Sequence, residues 1–198
     1  MRTADQAKRE AKRAFILEAA QARFAESGFH ATGMAEICAA VEMSPGTLYR
    51  YFKGKDEIVR AIIERDRQEL VALASGVGRG EDVVASVVRL AGETLRRAAE
   101  PGYARIAAEI LAEAGRDPAI GALYRRTDAE ILDALETALA TAARRGQVRA
   151  DLDARMAALW LTALADGAVA RFAFDPAADP ETLLPPLEQM IRGFLKAG

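Results

Sequence analysis

The sequence predicts an all-α chain in two parts, a three-helix N-terminal head and a larger helical body, on three observations. Apolar residues recur at three- and four-residue spacing through most of the 198 residues. From Glu81 onward Ala, Leu, Glu and Arg dominate, with few β-branched runs. The interruptions fall where Gly and Pro stand, as helix stops require. The apolar fraction of 51% suffices for a real core, and the charged fraction of 28% is ordinary for a soluble protein. The division is placed at residues 1–54 and 55–198.

Residues 1–8 are polar and are expected to fray; Arg2, Lys8 and Arg9 form either an arm that touches phosphates or a solvated tail. A helix follows from Arg9 to Ser27, with Ile16, Ala20 and Phe24 at four-residue spacing and Gly28 as its stop. The stretch from Thr32 to Lys55, TGMAEICAAVEMSPGTLYRYFKGK, then reads as two short helices joined by a tight turn. Met34, Ile37 and Val41 form the apolar stripe of the first, with Thr32 as its expected N-cap. Ser44-Pro45 restarts a helix, since serine caps and proline fits the first helical position. Leu48 and Phe52, four apart, face inward and leave Pro45, Gly46, Tyr49 and Arg50 outward. This pattern describes a helix-turn-helix that enters the DNA major groove.

Lys53-Gly54-Lys55-Asp56-Glu57 opens the next helix, which Ile58, Ile62, Leu70 and Leu73 carry to about Leu73. Gly76, Gly78 and Gly80 break it; a phosphate-binding loop would need a preceding strand, so this is a linker. Further helices are placed at about 82–99, 103–115, 118–144, 153–174 and 180–196. Pro185-Pro186 leave the start of the last one open.

Gly28-Phe29-His30-Ala31-Thr32, Ile37, Ser44 through Phe52, and Lys53-Gly54-Lys55-Asp56 stand in an order and spacing that resembles the N-terminal DNA-binding domain of the TetR (tetracycline repressor) family of transcriptional regulators. The resemblance covers roughly residues 9–60. The family often has glycine at the turn, where this chain has Glu42. A left-handed backbone at a non-glycine residue costs about 1 kcal/mol.

The residue types of the second helix suit DNA. Gly46 lets backbone approach the groove, Thr47 can exchange hydrogen bonds or touch a thymine methyl, and Arg50 suits guanine. Tyr49, Tyr51, Ser44 and Thr32 can donate to phosphates, which Lys53 and Lys55 neutralise. The resemblance implies the same division: Thr32, Ser44, Tyr49, Tyr51 and Lys55 match backbone-contact positions, and Pro45, Gly46, Thr47 and Arg50 match base-facing ones. For each residue singly, capping or surface duty is the alternative.

Net charge is -2, so the molecule is no polycation, yet residues 1–13 hold five basic residues against two acidic. Cys38 is the sole cysteine and reads as a packing residue in a reducing compartment. His30, the sole histidine, has no Cys or His cluster or catalytic partner nearby, so neither an enzyme nor a metal or other cofactor is expected. With no signal peptide and no apolar run of about 18 residues, a cytoplasmic protein without a membrane partner is expected.

In the body, Tyr103, Tyr124, Trp160 and Phe172 are candidates to line a ligand cavity, with Glu109 to orient the ligand; ordinary core packing and a solvated carboxylate face are the alternatives. Arg105, Glu113 and Asp166 are polar on otherwise apolar helices. Ala157, Leu161, Leu164 and Ala168 on one of the last two helices, and Leu187, Met190, Ile191 and Phe194 on the other, form apolar stripes. The resemblance implies that these two helices meet a second copy in a homodimer, that the dimer binds a palindromic double-stranded operator as a repressor, and that a small-molecule effector releases it. An all-helical enzyme or ligand carrier with an incidental helix-turn-helix is the rival, as is a regulator whose body answers to no ligand.

Overall fold

The computed structural model describes residues 2–80 and 82–196, with side chains from residue 5 onward. The Arg2 side chain, and Glu81 as the start of the body, therefore lie outside the described residues. Nine helices and no strand occur among those residues: α1 (Arg2–Ala31), α2 (Met34–Ala40), α3 (Pro45–Leu48), α4 (Lys55–Ser75), α5 (Val83–Ala98), α6 (Tyr103–Ala114), α7 (Pro118–Arg144), α8 (Ala154–Phe174) and α9 (Pro180–Leu195). The chain divides into two compact units, Met1–Arg65 and Asp66–Gly198, with the boundary inside α4 rather than ahead of it.

In the first unit α1 is helical from Arg2, not from Arg9 as expected. Asp5 in its first turn complements the helix dipole, and Gln6 Nε2 donates to Glu10 Oε1 at 3.0 Å, so polar residues extend the helix instead of fraying it. Gly28, at φ 81°, interrupts the helical backbone where a stop was expected. Ile16, Phe24, Ile37, Leu48, Phe52, Ile58 and Ile62 form the core, and Phe29 closes on Phe24 edge-to-face at 4.9 Å. Arg13 lies over the Phe52 ring at 4.1 Å and donates to the Tyr51 carbonyl at 2.8 Å, which fixes the chain just after α3.

In the second unit Val84, Val87, Leu135, Leu139, Ala157, Ala158, Ile191 and Leu195 pack α5, α7, α8 and α9 together. Four aspartates cap helix starts: Asp82, Asp117, Asp153 and Asp179 accept from the N–H groups of Ala85, Ala119, Met156 and Thr182 at 2.7–3.0 Å. α9 begins at Pro180 and runs through Pro185 and Pro186. The carbonyls those prolines cannot serve belong to Glu181 and Thr182, exposed residues whose carbonyls water can serve.

The α8 stripe expected to meet a second copy is turned differently, while Met190 and Phe194 of the α9 stripe are exposed. Ala157, Leu161 and Ile191 are buried within the chain itself. The outward stripe of α8 is instead Met156, Leu159, Trp160, Ala163, Gly167 and Phe174, beside Met190, Gly193 and Phe194 of α9. α8 is apolar on nearly every side, so its sequence periodicity did not fix which side faces inward. By length and composition it could cross a membrane, with mean hydropathy 1.3 over an 18-residue window of which 11% is buried.

Candidate nucleic-acid interface and internal cavity

The turn of the first unit is held by local hydrogen bonds. Gly33, not Thr32, caps α2, and its N–H donates to Glu36 Oε2 at 2.9 Å. Thr32 is 2% exposed, and its hydroxyl donates back to the Gly28 carbonyl at 2.9 Å. The Thr32 backbone N–H reaches the same carbonyl at 3.3 Å, so Thr32 closes the end of α1 with both groups rather than facing outward. Glu42 adopts φ 52°, the left-handed conformation expected at the turn, and is the one non-glycine residue so placed among the described residues.

Ser44 caps α3, accepting from the Thr47 N–H at 3.3 Å, and the two hydroxyls share a further hydrogen bond at 2.9 Å. α3 is only four residues long. Hydrogen bonds from the N–H of Tyr49 to Pro45 and of Phe52 to Leu48 carry the chain on in turns. Leu48 and Phe52 are buried, and Ser44, Pro45, Gly46, Tyr49 and Arg50 are exposed. Thr47 and Tyr51 are half-buried, and Lys53 is exposed with its N–H donating to Glu57 at 2.7 Å. A Cβ on Gly46 would meet nothing within 4 Å, so its bareness serves no packing inside the chain. Lys55 stands apart from this surface, since its ammonium donates to the carbonyls of Phe29 (2.7 Å) and His30 (3.4 Å) and ties the loop before α2 to α4.

The second unit holds a partly open cavity of about 250 Å³ with walls from α4 through α9. Tyr103 and Tyr124 line it; Glu109, Trp160 and Phe172 do not. Trp160 is 56% exposed, in phase with Met156 and Ala163 on the outward side of α8, while Glu109 lies off the inward line of Ile106 and Ile110. Of the polar residues weighed, Asp166 lines the cavity from an exposed position on α8, and Arg105 is exposed on α6.

The polar end of the cavity was largely missed from sequence. Arg67 is 6% exposed; its Nε donates to Thr127 at 3.1 Å, its Nη2 to Asp128 at 3.4 Å, and its guanidinium covers the Tyr124 ring at 4.3 Å. Asp66 accepts from Arg97 and from the Tyr103 hydroxyl, both at 2.9 Å. Burial pushes the Asp66 carboxyl up against the opposing pull of that hydrogen bond and of Arg97, and burial also raises Asp166, Tyr103 and Tyr124. The available signal was the pair Asp66-Arg67 interrupting the apolar line from Ile62 and Ile63 to Leu70.

A capped turn presenting bare backbone, an exposed tyrosine and an exposed arginine, carried by a chain whose second unit is a hollow helical body, defines a helix-turn-helix regulator. Residues 16–62 match the bacterial regulatory proteins of the tetR family, and residues 84–196 match the BetI-type transcriptional repressor, C-terminal. The HTH-type transcriptional regulator UidR of Escherichia coli is 30% identical over 186 residues, 92% of each chain. TtgR of Pseudomonas putida, another HTH-type transcriptional regulator, is 28% identical over 90% of this chain and 87% of its own. The solved structure of Salmonella enterica GusR superposes with a TM-score of 0.77 at 31% identity, covering 93% of this chain and 95% of that one. The chain belongs to the tetR family and is a DNA-binding transcriptional regulator.

Proposed function

We propose that the protein is a repressor that binds a palindromic operator as a homodimer and lets go when a small molecule enters the α4–α9 cavity. The observation that carries this reading is that α4 itself walls the cavity. Asp66, Arg67, Leu70 and Ala74 line it, and the same helix starts at Lys55, three residues after Phe52. An occupant that prefers a displaced α4 weakens DNA binding, and DNA then weakens the occupant by the same factor.

On DNA, Pro45, Gly46, Thr47 and Arg50 face base edges, while Ser44, Tyr49, Tyr51 and Lys53 hold phosphates. Thr32 and Lys55 support the loop beneath them through the carbonyls they already bind. The outward apolar stripe of α8 and α9 is the isologous face that joins two copies, whose helix pairs form a four-helix interface. Two heads spaced one helical turn apart, about 34–36 Å, then read a palindrome.

The test is selection of bound fragments from sheared source DNA at moderate salt, followed by sequencing. A shared palindrome among the recovered fragments is the expected result, and fragments with no common element sink the repressor reading. On the selected site Arg50→Ala weakens binding by about 1–3 kcal/mol per half-site and relaxes sequence preference, while the variant still dimerises. Fluorescence anisotropy with operator and scrambled duplexes measures both.

A further inference from the structure

One end of the cavity gathers three carboxylates and one guanidinium, and the pairings of the chain leave one carboxylate over. Asp66 is matched by Arg97 and the Tyr103 hydroxyl, and Arg67 by Thr127 and Asp128. Asp166 is the remainder: it lines the cavity from α8, and among the described residues no hydrogen bond or ion pair engages its carboxylate. It lies close enough to Arg67 and Asp128 for both to act on its charge, and close enough to Tyr124 to act on that phenol. Away from this end the wall is apolar, with Leu90, Leu111 and Leu187 among its residues.

We propose that the cavity takes a small amphiphilic monocation, with an ammonium or amidinium group held at Asp166 beside Tyr124 and an apolar body among the leucines. An anion would sit among Asp66, Asp128 and Asp166, where like charges oppose it. Arg67, already engaged by Thr127, Asp128 and the Tyr124 ring, supplies one positive charge against those three carboxylates. A neutral amphiphile fills the apolar part and leaves Asp166 to solvent and to the nearby charge of Arg67. At about 250 Å³ the cavity falls below the roughly 300–1,000 Å³ of drug-sized sites, which suits a compact ligand. This inference rests on the cavity being the effector site, and the experiment separates the two.

Isothermal titration calorimetry of the full chain at neutral pH compares octylammonium, octanol and octanoate, all below their aggregation concentrations. Octylammonium is expected to bind about tenfold tighter than either, the scale of one charge-assisted hydrogen bond. Asp166→Asn brings it to the level of octanol and leaves octanol unchanged. Ala107→Phe, which fills the cavity, removes binding of all three. The preference fades as acid protonates Asp166, which Arg67, Asp128 and Tyr124 face. The ligand class is overturned if octanoate or octanol binds as well as octylammonium, if Asp166→Asn keeps the preference, or if Ala107→Phe leaves binding intact. Operator release is read separately by anisotropy. Octylammonium that binds with this preference but leaves the operator bound keeps the ligand class and removes the effector reading. An anion that fills the cavity and releases the operator does the reverse.

Discussion

The two units solve opposite packing problems. The first seals a dry core of Ile16, Phe24, Ile37, Leu48 and Phe52 and keeps its charged residues at the edge. Arg50 and Lys53 stand outside that core, exposed just after α3. The second leaves its middle hollow and brings Asp66, Arg67, Tyr103 and Asp166 to the wall, where burial raises the pKa of both carboxyls and of the phenol. A surface that reads DNA needs a fixed scaffold. A cavity that admits a ligand needs room and polar groups whose desolvation a partner can relieve.

The largest effect that sharpens this contrast is expected from Leu48→Ala. Truncating a fully buried leucine in the small core costs about 3 kcal/mol. Denaturant unfolding should show the loss in the first unit and leave the transition of the second in place; an equal shift of both would deny the division. Arg67→Ala removes the partner of Thr127 and Asp128 and is expected to cost about 2 kcal/mol, on the transition of the second unit alone. Glu42→Gly relieves the left-handed turn and is expected to gain up to about 1 kcal/mol, since the greater freedom of glycine when unfolded offsets part of the relief.

The smallest effect is a pH dependence. Asp166 is raised from 3.8 by burial, and a carboxyl raised on folding contributes stability that is present below its unfolded value and lost as pH rises through the folded one. Asp166→Asn therefore leaves the stability read from thermal melts nearly unchanged near about pH 3 and raises it slightly at neutral pH, by well under about 1 kcal/mol for so accessible a group. Asp82 and Asp179 are lowered by the backbone and threonine groups they cap, so their contributions run the other way and fade as pH falls.

Most helix positions were legible because Gly and Pro mark their ends and the apolar spacing is regular. Leu48 and Phe52 turned inward as their four-residue spacing required. Thr32 was misread because its hydroxyl and its own N–H both turn back to the Gly28 carbonyl, a closure that a capping pattern does not encode. Trp160 was misplaced for a different reason: on a helix apolar all round, composition carries no phase. Asp66-Arg67 reads as solvent-facing charge until Arg97, Thr127 and Asp128 meet it from helices about 30 to 60 residues away.

The exposed position of Trp160 gives the chain a built-in optical property. It is the only tryptophan, and its indole stands on the outer side of α8 with 56% of its surface open. An indole in water emits further to the red than one packed against apolar groups. The intrinsic emission of the whole protein is therefore the emission of this face, and on dilution its colour reports whether the face is covered, with no dye attached and no residue changed.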